Sequence, residues 1–362
     1  MILQMEPWFG EEEKKEILSY LDEGGWFTEF KRTEKFENLL AEFTSAKHCI
    51  VFNNGTISLT LAAISGDIGP GDEVIVPNYS MIATPNSVKM LGAIPVFVDV
   101  EPETLCLDIS KVKEAMTSKT KAIIFVNANG RNPTYPIENL LNLCKEYKLF
   151  LIEDSAQSLG SRYPDGVHQG LKGDVGSFSF SAPKIISTGQ GGCLITNNDE
   201  IAFKLRRLKD FGRSGGGNDI HDWIGYNFKF TELQACVGIA QMAKLSWRIE
   251  RKKQIYSKYK KYLENTKGIN LFSQDIVNTT PWFIDCIAEQ RNKLQDFLKT
   301  KNIGTRIMYP PINQQKAYQV EGSFPTSELI GQRGLWLPSA SQITDSQIEF
   351  ICESINEFYE NS

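Results

Sequence analysis

Short apolar runs rich in β-branched residues recur between residues 46 and 198, and stretches with helical periodicity separate several of them. The runs cover residues 49–52, 73–76, 95–98, 122–126 and 149–152, and the clearest helical stretches cover 109–116 and 137–147. Near-continuous apolar strands that alternate with helices are typical of a mainly parallel sheet with helices on both faces. The pattern therefore predicts a large α/β domain, in which the runs at 176–180 and 192–196 form a hairpin-like pair.

The part of the chain beyond residue 235 predicts a second, smaller unit. A charged stretch at 235–265 is typical of one long helix that leads out of the α/β domain. The patterns that follow predict strands at 282–288 and 305–309 and helices at 291–300 and 346–359. We therefore expect two packed domains: an N-terminal arm with the large domain over 1–250, and a small α+β domain over 251–362.

Composition limits the classes of function. The chain has 44 acidic residues against 39 Lys and Arg, a net charge of −5, whereas a large nucleic-acid interface needs clustered positive charge. Seven scattered cysteines without a C-x-x-C pair, and only three histidines, predict buried thiols in a reducing compartment and no metal site. The acidic start of the chain and the absence of an apolar stretch of about 18 residues predict a cytoplasmic protein with no nucleic-acid or membrane partner.

Two polar clusters follow predicted strands. Residues 53–59 (NNGTISL) open an apparent helix, whose free N–H groups and hydroxyls are suited to a phosphate. A plain turn with an N-cap is the alternative interpretation of that cluster. Residues 152–157 (IEDSAQ) place Asp154 at the carboxyl end of a strand, where α/β sheets usually bind ligands. There its carboxylate is suited to a protonated heterocyclic nitrogen, with Gln157 near a neighbouring oxygen, although a capping aspartate is the alternative.

Two further clusters lie later in the chain. Lys184 stands among apolar residues, between two predicted strands and before the Gly-rich turn at 189–192. Desolvation at such a position lowers an amine pKa and makes the lysine a nucleophile able to form a Schiff base, whereas a surface position is the alternative. Asn227 lies in an aromatic loop before a helix for which Thr231 is the predicted N-cap. Taken together, the four clusters supply the parts that a pyridoxal 5'-phosphate site requires.

The ordered motifs of this chain resemble those of the DegT/DnrJ/EryC1/StrS family, the sugar aminotransferases among fold-type I pyridoxal-phosphate enzymes. The resemblance covers essentially the whole chain and rests on the segments at 25–28, 54–56, 71–77, 153–157, around Lys184, at 225–227 and at 309–310. It is nearest to the family enzymes that make 4-amino-4,6-dideoxy sugars of the perosamine and viosamine type, in the segments at 221–223, 226–227 and 308–310. It implies a mainly parallel mixed sheet between helices and a small C-terminal α+β domain.

The resemblance also implies roles for individual residues. Lys184 and Asp154 would be catalytic, the first as the Schiff-base lysine and proton carrier, the second as the partner of the ring nitrogen. The residues implied to bind the cofactor are Gly55, Thr56, Met81, Asp154, Ala156, Gln157, Ser179, Lys184 and Asn227. The residues expected to contact substrate are Thr28, Arg213, His221 and Tyr309, of which Arg213 and His221 flank a glycine run at 215–217.

The implied reaction moves an amino group from L-glutamate to a keto sugar, most of all a nucleotide-linked 4-keto-6-deoxy sugar used for a surface polysaccharide or glycan such as a capsule or O-antigen. In the family, an Asn at the position of Asn227 reaches the cofactor phosphate of the neighbouring subunit, which implies a homodimer with shared sites. Two other functions stay open: an aminotransferase for a small phosphorylated ketone or another non-nucleotide carbohydrate, and a catalytically silent member with a regulatory role.

Four departures from the family pattern lie near the cofactor or the acceptor. Met81 stands where the family commonly has an aromatic residue on the ring, and a thioether still makes favourable contacts with an aromatic ring. Residues 127–131 (NANGR) replace the frequent His-x-Tyr-Gly, Gln190 replaces a Glu, and Lys229 replaces an Arg. Because of these departures, an acceptor other than a nucleotide-linked sugar stays an open alternative.

Overall fold

A seven-stranded sheet lies at the centre of the computed structural model, which describes residues 1–215 and 219–361. Its strands are β1 (His48–Phe52), β2 (Glu73–Pro77), β3 (Ile94–Val98), β4 (Thr120–Val126), β5 (Phe150–Asp154), β6 (Val175–Ser179) and β7 (Gly192–Thr196). Their order across the sheet is β1-β7-β6-β5-β4-β2-β3, in which β7 runs antiparallel to both of its neighbours and the remaining pairs are parallel. The predicted mainly parallel sheet and the predicted β6–β7 pair are both confirmed.

Helices cover both faces of this sheet, because alternate residues of its central strands belong to two different apolar cores. On β4, Ile123 and Phe125 pack in one core, while Ala122 and Ile124 pack in the other. The helices of this part of the chain are α1 (Glu11–Glu23), α2 (Lys31–Thr44), α3 (Gly55–Ser65), α4 (Ala83–Lys89), α5 (Ile109–Ala115), α6 (Ile137–Tyr147) and α7 (Asp199–Lys209). Burial of both faces explains the near-continuous apolar strands of the sequence.

The prediction of a single long helix at 235–265 is wrong. Two helices replace it, α8 (Glu232–Ala243) and α9 (Leu245–Leu263), and the break falls at Lys244, whose N–H donates to the Gln241 carbonyl three residues earlier. The Lys244 side chain also forms ion pairs with Glu12 and Glu13 of α1, so the break lies where the N-terminal arm docks. At the start of α8, Thr231 is the N-cap and accepts the N–H of Gln234, as predicted.

A second sheet of four short strands builds the C-terminal part. Its strands are β8 (Ile269–Leu271), β9 (Ile284–Ala288), β10 (Arg306–Ile307) and β11 (Gly334–Leu337), and they pair antiparallel in the order β10-β11-β9-β8. The helices are α10 (Arg291–Thr300), α11 (Pro325–Arg333) and α12 (Asp345–Glu360). The α+β character predicted for this part is confirmed, but β10 is shorter than the strand predicted at 305–309. The predicted domain boundary at residue 250 falls inside α9 and stays a prediction.

The chain start packs against the C-terminal part: Ile2 forms a parallel bridge with Ile303, and the N–H of Ser339 donates to the Gln4 carbonyl. All seven cysteines are buried and unpaired, as predicted. In residues 1–215 and 219–361, no helix is long and apolar enough to cross a bilayer. The same residues contain no cluster of three or more His, Cys, Asp or Glu arranged to hold a metal ion.

Candidate active site

A cavity of about 410 Å³ opens at the carboxyl ends of the parallel strands, where the large sheet meets the C-terminal part. Nine of the residues predicted from the sequence line it: Gly55, Thr56, Met81, Asp154, Ala156, Gln157, Ser179, Lys184 and Tyr309. The fold therefore brings together residues from three of the four sequence clusters, although up to 254 positions separate Gly55 from Tyr309 along the chain. This convergence makes the cavity the candidate active site.

The N-terminus of α3 forms one end of the cavity. The Asn54 side chain caps the helix by accepting the N–H of Ile57 at 2.9 Å, while Gly55 and Thr56 belong to the first turn, whose N–H groups have no acceptor within the helix. A Cβ on Gly55 would lie 2.9 Å from the Ser179 Cβ, so only glycine permits this close approach. Free N–H groups, the positive end of the helix and the lining hydroxyls of Thr56 and Ser179 together favour an anion, above all a phosphate.

Asp154 ends β5 and contributes the one carboxylate among the described lining residues. The side chain is almost fully buried: Oδ2 accepts the Thr84 hydroxyl at 2.7 Å and Oδ1 accepts the Ala156 N–H at 3.2 Å. Burial raises the pKa of Asp154, while these two hydrogen bonds and the charge of Lys184 oppose that rise. A buried carboxylate held this way stabilises a cationic partner in the cavity, such as a protonated ring nitrogen.

Lys184 lies in the turn between β6 and β7 and places its Nζ 4.2 Å from the centre of the Trp282 ring. Burial lowers the pKa of Lys184 to about 8; the carboxylate of Asp154 opposes this change and the charge of Arg306 adds to it. With that pKa, about a tenth of the amine is unprotonated at pH 7, against less than about a thousandth at the ordinary value. The environment thus changes the Lys184 pKa in the direction that the sequence predicts, and the nucleophilic role of the amine stays a prediction.

Gln157, Met81 and Tyr309 form a further part of the cavity wall. The Gln157 Oε1 accepts the backbone N–H of Asn129 at 2.7 Å, and its NH2 group has no acceptor among the described residues. Met81 lies at the mouth with 45% of its surface exposed. Tyr309 packs with its ring centre 4.7 Å from that of Trp336, and burial raises its pKa to about 12, so the hydroxyl stays protonated. The wall therefore offers hydrogen-bond donors and an apolar face.

Two predicted site residues lie outside the cavity of their own chain. Thr28 is exposed and forms an isolated antiparallel bridge with Thr231. Asn227 is exposed and pairs in the same way with Asp210, at the end of α7. Neither side chain reaches the lining residues of this chain, so the role given to Asn227 requires a second subunit and stays a prediction.

Arg213 and His221 also lie away from the cavity lining. They form an antiparallel bridge with each other, and Arg213 forms ion pairs with Asp210 and Asp219 at 3.4 and 3.0 Å. The glycine run that they flank falls partly on residues 216–218, which lie outside the described residues. The predicted contacts of these two side chains with substrate stay predictions.

Three residues of the site are not predicted from the sequence. Thr84 holds Asp154, Trp282 covers Lys184, and Arg306 is the second cation of the lining. Each lies in or near a segment that the sequence analysis singles out. Thr84 lies three residues after Met81, Trp282 is the first residue of the strand predicted at 282–288, and Arg306 lies in the strand predicted at 305–309. What the sequence lacks is their proximity, since Trp282 and Arg306 come from the C-terminal part.

The residues present fit pyridoxal 5'-phosphate. The close packing of Gly55 against Ser179 leaves the α3 N-terminus open for a phosphate, the buried Asp154 requires a cationic partner, and the Lys184 amine is partly unprotonated near neutral pH. These three features suit three of the polar groups of the cofactor, namely the phosphate, the ring nitrogen and the aldehyde. The fold and the site therefore define a pyridoxal-phosphate-dependent enzyme.

Comparison with known proteins gives the same result. Residues 9–356 match the model of the DegT/DnrJ/EryC1/StrS aminotransferase family, and the chain belongs to this family. It is 36% identical over 351 residues to a GDP-perosamine synthase of Escherichia coli O157:H7, with 96% of this chain and 95% of the relative covered. It is 34% identical to a GDP-perosamine synthase of Vibrio cholerae, with 99% of both chains covered. The crystal structure of S. venezuelae DesV matches with a TM-score of 0.90 and 30% identity, covering 97% of this chain and 95% of that one.

Proposed function

We propose that this aminotransferase moves an amino group from L-glutamate to a nucleotide-linked 4-keto-6-deoxy sugar, in the biosynthesis of a surface polysaccharide or glycan. The observation that carries the proposal is the convergence of Lys184, Asp154 and the α3 N-terminus on one cavity. The choice of a nucleotide sugar as acceptor is supported by the two GDP-perosamine synthases to which the chain is similar over nearly its whole length.

In this proposal the chain holds the cofactor at four points. The first turn of α3 and the Ser179 hydroxyl would bind the phosphate, Asp154 would pair with the ring nitrogen, and the NH2 group of Gln157 would donate to the ring oxygen. Ala156 and Met81 contribute contacts with the ring faces. When bound there, the cofactor supplies an electron sink for a substrate carbon that loses a proton.

Lys184 has two tasks in the reaction. Its amine would hold the cofactor through the aldehyde, and it would also move the proton at the substrate carbon as a general base and acid. The lowered pKa suits the second task, because a group with a pKa near the working pH both takes up and gives up a proton readily. Arg306, at the same cavity, provides a positive charge for the carboxylate of the donor or the diphosphate of the acceptor.

We also propose that the enzyme is a homodimer with shared sites. Large apolar side chains are exposed near Thr28 and Asn227, two of the predicted residues that lie outside the cavity. Trp26 (75% exposed) and Phe27 (56%) precede Thr28, and Ile224 (82%) lies three residues before Asn227. Exposed apolar surface of this kind is suited to burial against a second copy. In such a dimer Asn227, Thr28, Arg213 and His221 contribute to the cavity of the neighbouring subunit.

The spectrum of the purified enzyme tests the reaction. On adding L-glutamate, we expect the absorbance of the lysine-bound cofactor at about 420 nm to fall as a band at about 330 nm appears. Nucleotide-linked 4-keto-6-deoxy sugars should then restore the first band. A band that ignores glutamate contradicts the proposed donor. Restoration by small phosphorylated ketones alone contradicts the proposed acceptor, and the cavity position of Gln190, where the family usually has Glu, is the reason to include them.

Mixing two variants tests the shared site. We expect Asn227→Ala to weaken cofactor retention, because an amide that reaches the phosphate across the dimer is lost. When this variant is mixed with Lys184→Ala under conditions of subunit exchange, about a quarter of the sites regain both side chains, and activity should rise toward that fraction. Light scattering or mass photometry before and after mixing shows whether dimers exchange. Exchange without recovered activity indicates self-contained sites.

A further inference from the structure

Asn129 lies on the turn that follows β4 and is almost fully buried, with 4% of its surface exposed. Its backbone is in the left-handed region, with φ 52° and ψ 28°, which asparagine adopts more readily than most residues. The turn packs tightly on the C-terminal part: a Cβ on Gly130 would lie 2.5 Å from the Thr280 carbonyl oxygen. The residue therefore occupies the seam between the two halves of the site.

The backbone of Asn129 fixes the orientation of Gln157. The N–H of Asn129 lies 2.7 Å from Gln157 Oε1, and a backbone N–H can only donate. The amide oxygen of Gln157 must therefore face Asn129, which leaves its NH2 group as the free end in a side chain that lines the cavity. A group bound against Gln157 thus meets a hydrogen-bond donor.

The side chain of Asn129 holds the backbone next to Trp282, another residue that lines the cavity. Its Oδ1 accepts the N–H of Phe283 at 2.7 Å, and its Nδ2 donates to the Phe283 carbonyl at 2.9 Å, so both backbone groups of that residue are satisfied by one amide. The next residue back is Trp282, whose ring centre lies 4.2 Å from Lys184 Nζ and whose indole N–H donates to the Pro183 carbonyl at 2.7 Å. The Trp282 carbonyl is held from the other side by Lys252 Nζ at 2.7 Å.

We propose that Asn129 is a positioning residue that holds Trp282 over the amine of Lys184 and links the backbone next to Trp282 to the side chain of Gln157. The proposal rests on the function proposed above, because Lys184 and Gln157 are the groups it serves. Loss of the side-chain amide frees the Phe283 backbone and lets the Trp282 ring move, so that the ring shields the Lys184 amine less from water. The charged groups that face the amine, Asp154 on β5 and Arg306 on β10, are unchanged by that loss.

The test compares Asn129→Gly with Asn132→Ala in the full-length chain freed of cofactor. Glycine accepts a positive φ and keeps the N–H toward Gln157, so the first variant removes only the side-chain amide. Asn132 is the matched control: it lies in the same loop and also makes two side-chain hydrogen bonds, from Nδ2 to the Arg162 carbonyl and from Gln169 Nε2 to its Oδ1, but neither bond reaches Phe283 or Gln157.

The readout is labelling of Lys184 by trinitrobenzenesulfonate, which reacts with unprotonated amines, followed peptide by peptide in mass spectra as a function of pH. Burial is the main cause of the lowered Lys184 pKa, so we expect the midpoint to lie near 8 in the unsubstituted protein and in Asn132→Ala. In Asn129→Gly it should rise by about one unit, which is about tenfold less labelling at pH 7. Cofactor affinity, measured by fluorescence titration, should fall in the same variant.

An equal midpoint in Asn129→Gly and the unsubstituted chain, or an equal rise in both variants, overturns the role of Asn129. If Asn129→Gly does not fold, Asn129→Ser takes its place: its short hydroxyl cannot hold both backbone groups of Phe283 and adds no charge near Lys184, so a rise supports the proposal and no rise overturns it. A midpoint near 10 in the unsubstituted protein overturns the nucleophilic Lys184 of the proposed function as well, which separates the two failures.

Discussion

Replacing Lys184 by alanine should lower turnover at least about 10⁴-fold and abolish the visible band of the lysine-bound cofactor, while the fold is retained. The amine is both the covalent attachment point and the proton carrier in the proposed reaction, and no other lysine is among the described residues that line the cavity. Circular dichroism and thermal melting establish that the variant folds. Stopped-flow or coupled assays with L-glutamate then measure the loss.

Lys184→Arg is the control that separates the charge of Lys184 from its nucleophilicity. It preserves a cation beside Asp154, but a guanidinium does not lose its proton in proteins and cannot form the link. We therefore expect it to be as inactive as the alanine variant, although it should disturb the buried Asp154 less. Substantial turnover in either variant would refute the assignment of Lys184.

Asp154→Asn should lower turnover roughly 100- to 1,000-fold, because breaking a buried charge pair by neutralising one partner costs about 3–4 kcal/mol. The amide can still accept the Thr84 hydroxyl, so the packing at the end of β5 is largely preserved. What is lost is the negative charge that, in the proposed site, would keep the ring nitrogen protonated. The expected signs are a slow half-reaction with L-glutamate and a visible band that shifts with pH at a lower midpoint than in the unsubstituted enzyme.

Glu153→Gln is a matched control for that change. Glu153 is the preceding residue of β5, is equally buried, and faces the other side of the sheet, where it accepts the N–H groups of Gly170, Lys172 and Gly173. The NH2 group of a glutamine there would face backbone N–H groups, which are also donors, and this costs about 2–3 kcal/mol of folding free energy. We expect a lower Tm with nearly normal turnover per folded enzyme, and the reverse in Asp154→Asn. Equal turnover in the two variants would contradict the role of Asp154.

The large sheet and most of the cofactor cavity are predictable from this sequence because their signals are local. Apolar strands, the capped glycine turn before α3 and the strand-end Asp154 each follow from a few adjacent residues. The break at Lys244 could not be predicted in this way, since a docking contact with α1 rather than the local sequence accompanies it. Trp282 and Arg306 could not be assigned to the site for the same reason, because their chemistry depends on how the C-terminal part packs.

The pairing of β1 with the much later strand β7 affects how this chain folds during its synthesis. β1 pairs with β7 alone, and Phe52 faces Gly192 across 140 positions of chain. At a synthesis rate of about 5–20 residues per second, β1 emerges and waits on the order of ten seconds for its partner with both edges open, the state in which nascent chains aggregate most readily. Ser179 and the lysine turn that leads into β7 emerge equally late, so the cofactor should bind only after this strand closes the sheet and should then stabilise the completed fold by mass action.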